Sequence, residues 1–244
     1  MHEANPHVTL MDVLVIDVGG SNVKLCLSPD IENARRFQSG TLLTPESLVE
    51  RVLALTRDWH YDVISIGFPG VTDRNQPEAE PGKLGGGWVG FDFERAFGKR
   101  VRLVNDAVLQ ALGAYDGGRM IFLGLGTGLG STLITEHVLV PLELGDLPFR
   151  DGQTMSQRLS RDGLSKNGHE CWLADVHEAC RVIRRAMVAD YVVLGGGNAK
   201  RVDPLPDAVR RGSNKDACAG GFRLWDEFIE PHDREPHRVW RVVR

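Results

Sequence analysis

The sequence predicts an α/β protein made of two similar halves, and two repeated patterns lead to this prediction. An apolar strand pattern at residues 12–18 runs into a glycine turn and then into a returning strand at residues 23–27. The same arrangement recurs at residues 120–134, with glycines 124–130 between its strands. Helical patterns separate the other strand patterns, as is typical of α/β proteins. We therefore expect two domains that each begin with a glycine hairpin.

This repetition places the domain boundary near the middle of the chain. We expect an N-terminal domain at residues 11–107, a C-terminal domain at residues 108–230, and flexible or peripheral ends at residues 1–10 and 231–244. The 244 residues are enough for two cores. The 28 glycines exceed the usual share of about 7% and gather in turns after apolar stretches, which favours close backbone approach to a ligand.

Charge and composition argue against several classes of binding partner and several cellular locations. A net charge of −4 predicts no basic face, and hence no nucleic-acid partner. No apolar stretch is long enough to cross a membrane, and residues 1–10 lack the apolar core of a signal peptide, so we expect a cytoplasmic protein. The four cysteines (Cys26, Cys171, Cys180 and Cys218) form no Cys-x-x-Cys pair. We expect free thiols and no zinc.

The first hairpin has a turn at residues 19–22, Gly-Gly-Ser-Asn, which we call the first turn. In Rossmann and P-loop proteins a glycine turn leads from a strand into a helix, whereas here a second strand follows. Both of those folds are therefore excluded. A third strand is expected at residues 35–40.

The rest of the N-terminal half alternates helix and strand. Thr44 and Pro45 have the character of a helix N-cap and first helical residue. A strand at residues 62–67 ends in Gly-Phe-Pro-Gly, which includes Gly70. Residues 72–90 are rich in glycine and proline and contain a tryptophan, which favours a functional loop over a disordered one. A short helix is expected at 91–97.

A strand at residues 101–104 ends in Asn105 and Asp106, and a helical pattern at 107–115 follows at once. A carboxylate at the carboxyl end of a strand lies at the usual ligand crevice of an α/β sheet. Asp106 could equally serve only as the N-cap of the helix.

The C-terminal half continues with elements that follow the same alternation. Residues 124–130 form the second turn, and residues 195–198 form the third turn at the end of a strand. The other expected elements are strands at 120–123, 131–134, 138–141 and 191–194, helices at 172–187 and 218–228, a poorly patterned segment at 142–166 and a charged loop at 200–215.

At this point the residues resemble a known family. The segment 17–24, Asp-Val-Gly-Gly-Ser-Asn-Val-Lys, is similar to the first phosphate motif of the actin-like sugar kinases. The second turn resembles their second phosphate motif, and the third turn resembles their adenosine-side motif. Together with Asn105–Asp106 and Glu143–Gly145, the set resembles the ROK family of hexokinases, specifically its short polyphosphate/ATP glucokinase branch.

The resemblance implies two actin-like (ribonuclease H-like) domains with mixed sheets around a central cleft, where a sugar and a phosphoryl donor meet. It also implies a homodimer. Backbone N–H groups of glycine turns can hold phosphate without steric bulk. The implied phosphate- or nucleotide-binding residues are Gly19, Gly20, Ser21, Asn22, Lys24, Gly126, Thr127, Gly128, Gly196, Gly197 and Asn198. Lys24 could instead be an exposed strand residue.

The same resemblance assigns the chemistry of the cleft. Asp106 would accept the proton of the attacking hydroxyl, and Asp17 would hold Mg²⁺ through water. Asn105 and Glu143, with Gly70 and Asp146, would bind the sugar. ATP or polyphosphate would be the co-substrate.

Two features depart from the family pattern. The family reads Glu-x-Gly-His where this chain has Glu143 to Asp146, so a group that only accepts hydrogen bonds replaces an imidazole. The family's cysteine-rich zinc motif is absent, and no structural zinc is expected. The leading hypothesis is a glucokinase-like hexose kinase. The alternatives are a catalytically weak or silent sugar or nucleotide sensor, and a kinase for another hydroxyl or acid.

Overall fold

The computed structural model describes residues 11–226 except 74, 137 and 214, together with the backbone of residues 229–231 and 240–242. The predicted ends at 1–10 and, apart from that backbone, 231–244 lie outside the described residues. In the described part, two mixed sheets carry helices on their faces, as the sequence predicts.

The first sheet has the strand order β3-β2-β1-β4-β7. Its strands are β1 (Val13–Val18), β2 (Asn22–Leu27), β3 (Arg35–Gln38), β4 (Val63–Phe68) and β7 (Arg100–Asn105). Strands β1, β4 and β7 are parallel, whereas β2 and β3 run antiparallel. Every residue of β4 is buried, because apolar side chains on both faces suit a central strand covered on both sides. The small hairpin of β5 (Thr72–Asp73) and β6 (Gln76–Pro77) lies outside this sheet.

The second sheet has the order β14-β13-β8-β9-β10-β16-β15. Its strands are β8 (Met120–Leu125), β9 (Leu129–Thr135), β10 (Val138–Leu142), β13 (Tyr191–Gly195), β14 (Val209–Arg211), β15 (Ile229–Pro231) and β16 (Trp240–Val242). Strands β10-β9-β8-β13-β14 repeat the order and directions of the whole first sheet. This common topology confirms the internal duplication that the two glycine hairpins predict.

The helices cover the outer faces of the sheets and fill the space between them. They are α1 (Pro45–Leu55), α2 (Phe93–Phe97), α3 (Asp106–Ala114), α4 (Met155–Leu159), α5 (Arg161–Asn167), α6 (His169–Ala186) and α7 (Asp216–Arg223). One apolar cluster lies under α1 and α2, a second under α6, and a third surrounds α3 and α7 between the sheets. No helix of the described residues is both long and apolar enough to cross a membrane.

Thr44 caps α1 as the sequence predicts. Its side chain accepts a hydrogen bond from the backbone N–H of Ser47, whose hydroxyl oxygen in turn accepts from the N–H of Thr44. This reciprocal capping satisfies two donors that a helix start would otherwise leave unpaired. Pro45 stands at the first helical position, where a missing N–H costs nothing.

The segment 142–166 is more ordered than the sequence predicts. It contains a 3-10 turn (Leu144–Asp146), a hairpin of β11 (Pro148–Arg150) and β12 (Gln153–Thr154), and the short helices α4 and α5. A fully buried carboxylate, Asp175 of α6, accepts hydrogen bonds at 2.8 Å from Arg150 Nη1 and from Arg158 Nε. Elements this short show no periodicity in the sequence, and a buried ion pair holds them together.

Two further boundaries differ from the prediction. The charged loop expected at 200–215 contains β14, which adds to the sheet in parallel beside β13. The closing helix begins at Asp216 and ends at Arg223, before the expected 228, and residues 227–228 are outside the described part.

Helix α7 packs against α3 and against strands β1 and β4 of the first sheet. The hydroxyl of Ser65 in β4 donates to the carbonyl of Gly221 at 2.6 Å and accepts from Trp225 Nε1 at 2.9 Å. The last helix of the described chain is therefore anchored on the first half. The division at residue 107/108 stays a prediction.

The expectation of four free thiols is wrong for two of them. Cys26 of β2 and Cys218 of α7 form a disulfide, although 192 residues separate them in sequence. Cys171 and Cys180 are free. Cysteine motifs such as Cys-x-x-Cys reveal only pairs that are close in sequence. This pair meets because α7 returns to the first sheet.

The disulfide predicts how many thiols react with an alkylating agent. In denaturant without reductant, two of the four cysteines should be alkylated, and peptide mapping should identify them as Cys171 and Cys180. Prior treatment with dithiothreitol should raise the number to four. Four alkylated cysteines without reductant would contradict the disulfide.

Candidate active site

The first turn joins β1 to β2 and is fastened by short hydrogen bonds. The N–H of Gly19 donates to the carbonyl of Asn22 at 3.0 Å. Ser39, just after β3, donates its hydroxyl to the carbonyl of Gly19 at 2.6 Å and its N–H to the carbonyl of Ser21 at 3.1 Å. The first turn is thus held from both sides, and its glycines keep it free of side-chain bulk.

The second turn lies between β8 and β9. The N–H of Gly126 is shared between the carbonyls of Gly124 and Gly128, at 3.1 and 3.2 Å. The carbonyl of Gly126 accepts from the N–H of Arg161 at 2.8 Å, which ties the turn to α5. A Cβ placed on Gly126 would meet nothing within 4 Å, so this face of the turn is open for a ligand. Thr127 between these glycines is partly buried.

The third turn follows β13 and touches the second. Gly196 has a φ of +78°, and a Cβ there would lie 2.7 Å from the carbonyl oxygen of Leu125, so glycine is required. The N–H of Asn198 donates to that same carbonyl at 3.0 Å. The side-chain amide nitrogen of Asn198 is buried and has no hydrogen-bond partner among the described residues. Such a donor is available to an oxygen atom of a ligand.

A cavity of about 500 Å³ joins the first hairpin to the third turn. Asp17 and Lys24 line it from one side, and glycines 195–197 line it from the other. Its remaining lining residues are Arg36, Gln110, Ala199, Lys200, Arg211, Gly212, Ser213 and Ala217. The structure therefore brings residues of the first and third motifs together around one space.

Sequence reasoning missed the basic residues Arg36, Lys200 and Arg211 of this cavity. Arg211 belongs to β14, in the segment that the sequence predicts to be a charged loop. The basic residues of that segment are visible in the sequence. Only the pairing of β14 with β13 shows that Arg211 lies at the cavity.

Asp17 and Lys24 stand opposite each other in the ladder of β1 and β2. Burial raises the pKa of Asp17 to about 6, against the opposing effect of the Lys24 charge. Burial also lowers the pKa of Lys24, while the charge of Asp17 acts in the opposite direction. The opposite charge of each group thus partly offsets the free-energy cost of burying the other group in its charged form.

Asp106 is the first residue of α3 and is partly buried. Its pKa is raised to about 7, mainly by burial and also by the negative charges of Asp17 and Glu143. Carboxylates from two other elements, those of Asp17 and Glu143, thus act on the carboxylate of Asp106. The N-cap of α3 is Asn105, whose side-chain oxygen accepts from the N–H of Ala107 at 2.8 Å, so the interpretation of Asp106 as the cap is wrong.

Two of the predicted sugar-binding residues, Asn105 and Glu143, lie near Asp106. Asn105 donates its side-chain amide to the carbonyl of Gly70 at 2.9 Å, which fixes the end of β4 to the end of β7. An amide has a second N–H and a second lone pair, so Asn105 can still bind a ligand. Glu143 directly precedes the 3-10 turn and Asp146 ends it, and partial burial together with the charge of Asp146 raises the pKa of Glu143. Both residues keep exposed surface.

Known proteins resemble this chain in sequence and in fold. No family model matches the chain. Polyphosphate glucokinase from Mycobacterium leprae is 24% identical over 209 residues, which are 77% of this chain and 64% of that protein. The match thus spans just under two thirds of the length of this relative.

Two solved structures share the fold. An inorganic polyphosphate/ATP-glucomannokinase from Arthrobacter sp. strain KM superimposes with a TM-score of 0.73 at 22% identity, over 87% of this chain and 97% of that one. A ROK family glucokinase from Streptomyces griseus, in complex with glucose and AMPPNP, gives a TM-score of 0.65 at 17% identity, over 87% and 98%. The structural neighbours of this chain are thus ROK family sugar kinases, and the chain has their actin-like fold.

Proposed function

We propose that the chain is a glucokinase-like hexose kinase that transfers a phosphoryl group from ATP or inorganic polyphosphate to a sugar hydroxyl. One observation carries the proposal: Asp106 begins α3 beside Asn105, and its pKa is raised to about 7. A general base works best when its pKa lies near the operating pH. The names of the relatives and of the structural neighbours support the same reaction.

The proposed reaction needs little covalent participation by the protein. The sugar hydroxyl oxygen bonds to the terminal phosphorus of the donor, and the bond from that phosphorus to the bridging oxygen breaks. The Asp106 carboxylate takes the hydroxyl proton, and the shortened donor leaves with the bonding electron pair. The protein mainly positions the reactants and offsets charge.

Asn105, the carbonyl of Gly70, Glu143 and Asp146 would hold the sugar. Glu143 and Asp146 accept hydrogen bonds from hydroxyls, as does the Gly70 carbonyl, whereas Asn105 can both donate and accept. A sugar that lacks one of these hydroxyls would leave a polar group unpaired, which gives strong discrimination.

The three turns and Lys24 would hold the donor, with Mg²⁺ at Asp17. Carboxylate oxygen suits Mg²⁺, which usually keeps several of its waters. The charge of Asp17 raises the pKa of Asp106 by repulsion. The bound cation would relieve this repulsion.

We propose inorganic polyphosphate as the better donor. The cavity is lined by four basic residues: Lys24, Arg36, Lys200 and Arg211. Among the described residues that line it, none is aromatic, so an adenine ring would have no aromatic stacking partner there. A chain of phosphates gains electrostatic binding energy from each of these basic residues, whereas the uncharged base and ribose of ATP do not.

The experiment measures transfer to glucose and a panel of hexoses with Mg²⁺, using ATP and polyphosphate as donors in parallel reactions. We expect turnover, with a kcat/KM for polyphosphate at least about tenfold above that for ATP, because about 1.4 kcal/mol of extra binding gives that factor. A higher kcat/KM for ATP would contradict the donor assignment.

Turnover with neither donor would contradict the kinase proposal. The second candidate, a catalytically weak or silent sensor, is favoured by Asp146, which offers no donor at the position of the family histidine. In that case a sugar or nucleotide should raise the melting temperature without being consumed.

The resemblance also supports a homodimer and a cytoplasmic location, and both belong to this proposal. Light scattering at two protein concentrations would test the mass. A value near 54 kDa, twice the chain mass of 27.0 kDa, is expected.

A further inference from the structure

Lys83 lies over the first turn, although no motif draws attention to it. A Cβ placed on Gly20 would be 3.7 Å from Lys83 Cδ and 3.8 Å from Lys83 Cβ. The aliphatic part of the lysine therefore lies beside Gly20, where it would be in ordinary van der Waals contact with a Cβ at that position. The side chain is exposed, and it forms no hydrogen bond or ion pair with any other residue that the structure describes.

The segment that carries Lys83 is fastened at several points. Directly after it, Leu84 is buried and Gly85 donates its N–H to the carbonyl of Leu43 at 2.9 Å. Trp88 is fully buried, and its Nε1 donates to the carbonyl of Gly85 at 2.7 Å. The position of Lys83 is thus set by the packing of its neighbours.

Glu80 fastens the same segment from the other side of Lys83. Its carboxylate accepts hydrogen bonds from the N–H groups of Trp88, at 3.1 Å, and Val89, at 3.2 Å. Backbone hydrogen bonds hold the pKa of Glu80 below its usual value, first among them the one from Trp88. This acid is therefore occupied with backbone donors.

The surroundings of Lys83 explain why a cation is useful there. The first turn follows β1, which carries Asp17, and the charges of Asp17 and Glu143 act on Asp106. These carboxylates would repel the negatively charged phosphoryl group as it approaches the sugar hydroxyl. Lys24 lines the donor cavity beside Asp17, whereas Lys83 approaches the first turn from a loop whose described residues do not line this cavity.

We propose that the ε-ammonium of Lys83 binds the terminal phosphoryl group of the donor over the first turn and positions it for transfer. This inference rests on the proposed kinase function. Lys83 keeps its proton throughout, while the hydroxyl proton goes to Asp106. Its charge offsets that of the non-bridging oxygens while one P–O bond forms and the other breaks.

The test compares three variants of the full chain. Lys83→Met removes the charge and retains an aliphatic side chain beside Gly20, and Lys83→Arg restores a charge. Lys99→Met is the matched control, because Lys99 is an exposed lysine directly before β7, and the site lies at the far end of that strand, roughly 20 Å away.

Lys83→Met should lower kcat about 100-fold with polyphosphate, while the KM for glucose stays within about twofold, as expected when one charged contact to the reacting group is lost. Lys83→Arg should recover about a tenfold part of that loss, and Lys99→Met should behave as wild type. A kcat for Lys83→Met within twofold of wild type, or a loss confined to the KM for glucose, would overturn the proposal.

A binding measurement separates this proposal from the proposed function. Tripolyphosphate titrated into the protein by calorimetry should bind Lys83→Met about fivefold more weakly than wild type and Lys99→Met. If the wild-type protein binds tripolyphosphate but turns over no sugar, the kinase function fails and this comparison still decides the role of Lys83. Equal affinities would overturn that role.

Discussion

Replacing Asp106 by Asn should abolish phosphoryl transfer while making the ligand-free protein more stable at pH 8. An amide cannot accept the hydroxyl proton, so kcat should fall by about 10³-fold, within the range typical for loss of a general base. Sugar binding should persist, because Asn105, Glu143 and Asp146 remain in place. Activity assays with sugar titration would measure both effects, and an active Asp106→Asn enzyme would contradict the assignment of the base.

The stability effect follows from the pKa of Asp106. Its folded value is about 7 and its usual value is 3.8, so the folded protein holds this proton more tightly than the unfolded chain does. Stability therefore falls as the pH rises from about 4 to 7, and the full penalty is present at pH 8. The Asn variant does not carry this penalty, so it should be more stable at pH 8 by on the order of a few kcal/mol.

Melting curves of metal-free wild-type protein and Asp106→Asn at pH 8 and pH 5 would check this expectation. The difference between the two proteins should shrink at pH 5, where folded Asp106 is protonated. Asp207→Asn is the matched control, since Asp207 is an exposed acid before β14, and it should leave the melting temperature unchanged at both pH values. A variant less stable than wild type at pH 8 would show that the carboxylate is not destabilising.

The second large effect is expected at Gly220, where helices α3 and α7 cross. A Cβ on Gly220 would lie 1.8 Å from the carbonyl oxygen of Leu109, and a Cβ on Gly113 would lie 1.9 Å from that of Asp216. Glycine inside a helix costs about 1 kcal/mol relative to alanine, so intrinsic propensity alone would favour alanine at both positions. The two glycines allow the helix backbones to touch.

Gly220→Ala should therefore lower the free energy of unfolding by about 4 kcal/mol or more, because two helix backbones must separate and the core between the sheets must open. Urea denaturation would measure this change. Gly86→Ala is the control: a Cβ there would meet nothing within 4 Å, and a change of less than about 0.5 kcal/mol is expected. A Gly220→Ala variant within 1 kcal/mol of wild type would contradict the close helix contact.

Local patterns in the sequence predict the hairpins, the main helices and the position of Asp106. The strand at 12–18 and its glycine turn are visible because apolar alternation and glycine act over a few residues. Asn105 and Asp106 are visible because a strand ends and a helix begins at that point. The resemblance then assigns roles to these positions that the pattern alone does not.

Other features depend on contacts between distant parts of the chain. The pairing of Cys26 with Cys218 follows only from the return of α7 to the first sheet. In the sequence, Asp175 looks like an ordinary exposed acid on a helix. In the structure it is buried and accepts hydrogen bonds from Arg150 and Arg158. From the sequence Lys83 is an ordinary loop lysine, and only the structure shows that it lies beside Gly20. Short-range periodicity carries no information about such contacts.

The position of α7 also determines the order in which the chain can fold during synthesis. Val15 of β1 lies against Gly221, so closely that a Cβ there would be 2.4 Å from a Val15 methyl, and Ser65 of β4 is bonded to the same residue. Domains generally fold from the N-terminus as they leave the ribosome. Here the first sheet leaves the ribosome about a hundred residues before the helix that covers its inner face. Until α7 arrives, Val15 and its apolar neighbours stay exposed, so the first half of the chain reaches its final packing only when the last helix of the described chain has been made.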